Sequence, residues 1–351
     1  MSTIYVRDPG TTLAVDSTYL TLRSKGRRIG RIPPMMVDQV ILEHGVEATR
    51  TCLDRLGALG IPVTFLGPES RVQARLVPPW KADARGRIAQ AKAWLDPEVR
   101  LTLARRWIDA KLANGIAVIR RYLSNHPDEA LAEACQAIQR LRKEIPSTSA
   151  IASLLGIEGT AARIYFGALG GMIRAQWTEF SGRNRRPPLD PVNAVLSYVY
   201  AVLCHQILAL IEAMGLDPYI GYLHVNETYR PTLALDLMEP FRPVLGDRLM
   251  LRLINLGTLK ASHFSEPNGP GRGTFISREG RELLLQVFSE WVQSCDETLA
   301  PTYRELTAPG AMLQKECERF AMFATQDRLA DFVPHYLDPA SRPADGVNDP
   351  E

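Results

Sequence analysis

Glu158, His224, Asp236 and Glu239 are the residues of this chain whose types and surroundings suit chemistry. Glu158 lies in Ser153-Leu-Leu-Gly-Ile-Glu158-Gly-Thr-Ala-Ala-Arg-Ile-Tyr-Phe166, after an apolar run and before small residues, so its carboxylate has room for a ligand. Taken alone, it reads better as an exposed acid at a helix start, favoured there by the helix dipole. His224 ends the turn-rich stretch Gly215-Leu-Asp-Pro-Tyr-Ile-Gly-Tyr-Leu-His224. A lone histidine there is ordinarily a hydrogen-bonded structural residue. Asp236 and Glu239 are three apart, so a helix from Thr232 to Glu239 puts both on one face, opposite much of the apolar set. Pro240 then kinks that helix or begins another, and an acid pair beside Arg242 also reads as a plain surface salt bridge. Together, two carboxylates and an imidazole make a familiar shell for Mg2+ or Mn2+, with water and phosphate oxygens in the other positions. Such an ion polarises a phosphate, activates a hydroxyl and stabilises a leaving oxygen.

These residues need elements to hold them. At 351 residues, two domains are expected. Residues 1–66 look β-rich: Thr3–Val6, Thr12–Val15 and Tyr19–Arg23 are short strand-like pieces, and Lys25-Gly26-Arg27 reads as a hairpin turn before Ile29–Ile32. A helix is expected over Val46–Leu59 and a strand over Ile61–Leu66. Residues 67–86, with Gly67, Pro68, Pro78, Pro79 and Gly86, read as a linker. From residue 87 the pattern is helical, with a start at Asp96-Pro97. Further helices are expected at 128–143, 147–156, 158–177, 190–214, 232–257, 277–298 and 309–330. The fold class is therefore α+β: a small β-rich N-terminal domain, then a larger all-helical catalytic domain over 87–338. An acidic tail, 339–351, is expected to be disordered.

Net charge is only +2, but between Arg71 and Arg121 twelve basic residues face four acids. That stretch could hold phosphates or be a solvated helix face. The apolar run Ala194–Leu216 contains His205, Gln206 and Glu212, so it reads as a buried helix and not a membrane span. Five scattered cysteines suggest neither a disulfide framework nor a zinc site. With no apolar signal core at the start, a cytoplasmic protein is expected.

Several long stretches in register resemble the CRISPR-adaptation integrase family. They are Gly-Ile-Glu158-Gly-Thr-Ala-Ala-Arg-Ile-Tyr-Phe, Arg183-Asn-Arg-Arg-Pro-Pro-Leu-Asp-Pro-Val-Asn193-Ala-Val-Leu-Ser-Tyr, Gly215 to His224, and Leu233-Ala-Leu-Asp-Leu-Met-Glu-Pro-Phe-Arg-Pro243. The similarity runs from Tyr5 to about Tyr336. It implies metal ligands at Glu158, His224 and Glu239, with Asp236 as a supporting acid, and Mg2+ or Mn2+ as cofactor. It implies attack of a 3′-hydroxyl of a short DNA duplex on a phosphodiester at a repeat boundary, chemistry that needs mainly positioning and charge stabilisation. It also implies a homodimer, through the N-terminal domain, that works with double-stranded DNA and a small CRISPR-adaptation partner protein. Arg174, Arg183, Arg185 and Arg186, with Arg163 beside Glu158, are candidate DNA contacts; a solvated basic loop is the plainer reading. Tyr165 reads as a core residue. Tyr229 stands where many relatives have Gly. A non-catalytic DNA-binding scaffold and a transposon-encoded integrase are the competing functions. The intact Glu158, His224 and Glu239 speak against the first, and the absence of an extra DNA-binding domain speaks against the second.

Overall fold

The computed structural model describes residues 3–67, 72–78, 84–224, 230–265, 273–293 and 309–342. It has the α+β organisation expected, with strands first and helices after. By backbone contacts the chain divides into two units: Met1–Ala84 with Ala209–Leu216, and Arg85–Leu208 with Asp217–Glu351.

The first unit holds two four-stranded sheets. One orders β1 (Thr3–Val6), β5 (Gln39–Leu42), β7 (Val63–Leu66) and β8 (Val72–Leu76), parallel except for the last pair. The other orders β4 (Arg27–Ile32), β3 (Tyr19–Ser24), β2 (Thr11–Asp16) and β6 (Glu47–Ala48). At the β3–β4 turn, Lys25 and Gly26 have φ of 49° and 76°, the left-handed pair whose twist matches a two-residue hairpin. β5 escaped the sequence reading because all four of its residues are buried, and a strand covered on both faces shows no alternation. β8 corrects the linker reading: the prolines and glycine around it flank a strand. The helix expected from Val46 starts later, as α1 (Arg50–Ala58), because the Thr49 hydroxyl accepts the Cys52 N–H and caps it. Leu13, Leu20, Val40, Leu56 and Val63 form the core of this unit. Within it, Arg75 pairs with Glu212, 2.5 Å from Nη1 to Oε1.

The second unit is helical. α2 (Ala84–Leu95) is followed by α3 (Pro97–Leu123), 27 residues long, where Asp96 accepts the N–H groups of Glu98 and Val99 and Pro97 opens the first turn. α4 (Glu129–Glu144) and α5 (Ile151–Gly171) pack on α3. α5 runs unbroken through Gly156, Glu158 and Gly159, so Glu158 stands mid-helix and not at a helix start. α6 (Pro191–Ala213) is apolar and long enough to cross a membrane, but 72% of its most apolar window is buried, as a core helix requires. α7 (Thr232–Met238) stops before Pro240, a π-helical turn spans Arg242–Asp247, and α8 (Arg248–Asn255) follows. The proline break is the one expected, and Asn114 donates to the Pro240 carbonyl at 2.8 Å. α9 (Arg278–Gln293) and α10 (Pro309–Thr325) complete the unit. At the start of the expected tail, Pro339–Ser341 forms a short 3-10 turn. Residues 343–351 lie outside the described residues.

Candidate active site

Glu158 from α5 and Glu239 from the turn after α7 meet at one cation, the ammonium of Lys111 on α3. Lys111 Nζ stands 2.5 Å from Glu158 Oε1 and 2.7 Å from Glu239 Oε2. Arg242, carried round by the π-helical turn, places Nε 3.0 Å from the other Glu239 oxygen. π-turns of this kind are frequent at functional sites. Burial alone would raise the Glu239 pKa, but Arg242, Lys111 and His224 outweigh it and hold the carboxyl at about 2. Burial works against the Lys111 ammonium too, yet the Glu239 and Glu158 carboxylates keep its pKa above the ordinary value. Both groups are therefore charged at neutral pH.

His224 is aimed by Asp236. Gly221 packs directly on Thr232, where an added Cβ would lie 2.6 Å from the threonine Cβ, and the Thr232 hydroxyl accepts the Gly221 N–H. That contact brings the loop ending at His224 over the start of α7. The buried Asp236 carboxylate then accepts the N–H groups of Tyr222, Leu223 and His224 at 2.6–3.2 Å. It also meets His224 Nδ1 at 2.6 Å. Tyr222 fastens the loop from the other side, its ring 6.0 Å from that of Trp107 on α3. Burial disfavours the imidazolium, but the Asp236 hydrogen bond and charge, with Glu239, raise its pKa. In the neutral ring, Nδ1–H donates to Asp236 and Nε2 keeps its lone pair, 3.8 Å from Glu239 Oε1. Asp236 and Glu239 are 0% and 3% exposed, so the surface-salt-bridge reading of this pair fails.

A pocket opens beside the carboxylates. Lys111, Glu158, Tyr165, Phe166, Arg185, Tyr200, Arg242 and Asp247 are among the residues that line it. Tyr165 packs in the core, as expected, and with Tyr200 donates its hydroxyl to the buried Asp247. Burial pushes Asp247 up to about 6, against the pull of those two hydrogen bonds, Arg242 and Arg183. Arg163, Arg174, Arg185 and Arg186 are exposed. Arg183 differs: its guanidinium donates to the Asn184 carbonyl in its own loop and to Asn193 Oδ1 and Ser197 Oγ on α6. Tyr229 lies outside the described residues.

Sequence reasoning missed Lys111, Arg242 and Asp247 as members of the site. Lys111 was one basic residue in a long basic run, and only its place between two carboxylates sets it apart. Other members of that run also turn inward: Arg105 donates to Thr148 and Arg106 to the Ala330 and Phe332 carbonyls. Two carboxylates and an imidazole are a suitable donor set for Mg2+ or Mn2+, and Glu239 Oε2 is buried with an ionic neighbour but no well-formed hydrogen bond. With Lys111 between them, no three His, Cys, Asp or Glu side chains among the described residues close into a ready metal cage.

The chain thus has a two-sheet unit and a helical unit, and in the helical unit carboxylates and arginines line one pocket. The chain belongs to the Cas1 family of CRISPR-associated proteins, whose family model matches residues 4–290. It is 39% identical over 300 residues to a CRISPR-associated endonuclease Cas1 of Rhodospirillum rubrum, covering 83% of this chain and 86% of that one. A Cas1 protein from Thermotoga maritima has the same fold, with a TM-score of 0.78 and 23% identity over 92% of this chain and 97% of that one. So does a casposase solved bound to its integration product, with a TM-score of 0.77 and 22% identity over 93% of this chain and 91% of that one.

Proposed function

We propose that this chain is a metal-dependent DNA endonuclease and integrase that inserts short duplexes, new spacers, into a CRISPR array. The 3′-hydroxyl of the duplex attacks a phosphodiester at the repeat boundary. A new phosphodiester forms, and the 3′-oxygen of the cut target strand leaves and takes up a proton. The observation that carries this reading is the convergence of Glu158 and Glu239, from separate elements, on one cationic position beside His224.

Glu158, Glu239 and His224 Nε2 would hold Mg2+ or Mn2+, which when bound supplies Lewis acidity toward phosphate oxygens. Asp236 acts through His224, holding the ring and three loop amides. Arg185 and Arg242, on the pocket wall, face a phosphate entering it and offset its charge. The test is joining of a 3′-hydroxyl duplex to a supercoiled target carrying an array, with Mn2+. Glu158→Ala, His224→Ala and Glu239→Ala should each lower the rate by about 10^3-fold or more, about 4 kcal/mol. Near-normal joining by any one of them removes that residue from the site. Equal joining into a plasmid without an array would favour the transposon-type integrase, which the casposase fold keeps in view.

The working form we propose is a cytoplasmic homodimer, paired through its N-terminal unit and assembled with double-stranded DNA and a small CRISPR-adaptation partner. β4 lies at a sheet edge and Ile29 on it is 58% exposed, and such edges favour pairing. A monomer by light scattering at micromolar concentration contradicts the dimer.

A further inference from the structure

We infer that Lys111 is the resident cation of the two-carboxylate site: it holds Glu158 and Glu239 together until a divalent ion displaces its ammonium into the adjoining pocket. This rests on the metal reading above and adds to it a role for a residue outside the ligand set.

The geometry makes the two cations mutually exclusive. Lys111 Nζ is 2.5 Å from Glu158 Oε1 and 2.7 Å from Glu239 Oε2. A Mg2+ ion on those same two oxygens stands about 2.1 Å from each, in the space the ammonium fills. Two positive centres cannot share it at the strength that like charges repel in a buried site. Glu239, 3% exposed, depends on a compensating cation, because losing one partner of a buried ion pair is strongly destabilising. A lysine between two acids from different elements, α5 and the turn after α7, thus keeps the site assembled while metal is scarce.

The side chain has somewhere to go. Lys111 itself lines the pocket that also contains Arg185, Arg242 and the apolar surface of Ala161, Ala162 and Phe166. Its four-carbon stem is flexible and its ammonium is a compact point charge. Swung into the pocket, it joins the two arginines where a DNA phosphate would enter. One lysine thereby serves as a counter-ion before metal arrives and as a phosphate contact afterwards. The arriving ion takes over both carboxylates from the ammonium, and the positive charge so added to the site is offset when a phosphate enters the pocket.

The experiment compares full-length wild type with Lys111→Met. Calorimetry should show Mn2+ binding roughly tenfold or more tighter in Lys111→Met, since the wild-type site is competent only while the lysine is out. Without metal the variant should melt below wild type, and Mn2+ should raise its melting temperature by more. Equal Mn2+ affinity in the two proteins overturns the role of Lys111 and leaves the metal reading intact. No Mn2+ binding by either protein overturns the metal reading itself. If Lys111→Met does not fold, wild type alone decides. Reductive methylation, mapped by mass spectrometry, should spare Lys111 without metal and modify it at saturating Mn2+. Unchanged modification of Lys111 on adding Mn2+ overturns the inference.

Discussion

Asp109 and Lys111 lie two residues apart on α3, and each is the hub of a buried charge cluster. The clusters are built differently. Arg142 Nε and Nη2 donate to the two Asp109 oxygens at 2.6 and 2.8 Å, and the Tyr336 hydroxyl adds a third bond at 2.6 Å. The fork of the guanidinium matches the carboxylate and leaves nothing over for a ligand. Around Lys111 two acids and a histidine crowd two cations, Glu239 Oε2 has no well-formed hydrogen bond, and one wall opens into a pocket. A closed bidentate pair ties helices together. A crowded cluster with an open wall is arranged to exchange one cation for another.

Two histidines repeat the contrast. His224 has a carboxylate on Nδ1 and its pKa is raised. His335, beside Tyr336, stacks on Phe241 with ring centroids 5.4 Å apart, and its Nε2 is buried without a hydrogen bond. Burial, then the nearby Arg342 and Arg319, push its pKa from 6.5 down to about 4.

The largest effect that can break this contrast is on the closed cluster. Arg142→Ala leaves Asp109 charged and buried, and should cost about 3–5 kcal/mol of stability. Its strand-transfer rate per folded molecule should stay within a few-fold of wild type. Glu158→Gln should behave oppositely, losing strand transfer while melting near wild type, because the Glu158 side chain is 22% exposed and Lys111 keeps Glu239 as a partner. Urea unfolding and a joining assay on both variants decide it. An inactive but fully folded Arg142→Ala would mean the two hubs are not separable.

Next comes pH. A histidine whose folded pKa lies below its unfolded value contributes stability that is full above pH 6.5 and lost as pH falls toward 4. That shift corresponds to about 3 kcal/mol. His335→Phe keeps an aromatic ring against Phe241 and removes the buried nitrogen. Relative to wild type, it should gain about 3 kcal/mol between pH 7 and pH 4. Parallel pH profiles would mean that His335 is charged at little cost in the folded protein.

The smallest effect is on DNA affinity. Arg185 and Arg186 are exposed, while Arg183 is committed to Asn184, Asn193 and Ser197. Arg185→Gln with Arg186→Gln should flatten the plot of log affinity against log salt by about two units. Arg183→Gln should leave that slope unchanged and lower stability instead. A slope change from Arg183→Gln alone would show that its loop opens to meet DNA.

What could be read from residue patterns was uneven, for physical reasons. Alternation and turn chemistry marked β1 to β4, and Asp96-Pro97 and Pro240 marked helix boundaries correctly. β5 was invisible because a strand buried on both faces loses its period, and β8 was hidden by the prolines around it. For the site, residue types alone favoured plain readings: a helix-start acid, a structural histidine and a surface salt bridge. Two of those fail on tertiary facts, since α5 runs through Glu158 and Asp236 is buried to 0% exposure. The resemblance of whole stretches to one family picked out Glu158, His224 and Glu239. Lys111 had no such mark, because a lysine's burial between two acids depends on elements far apart in the chain.

We propose that Glu158, His224 and Glu239 together hold the divalent ion used in strand transfer. Crystals of the protein soaked in Mn2+ test it most directly, with data collected at the manganese absorption edge. We expect an anomalous peak about 2.1–2.3 Å from an oxygen of each glutamate and from His224 Nε2, with the Lys111 ammonium withdrawn. A strong peak held by other residues, or full metal-dependent joining with no peak at these three, would contradict it.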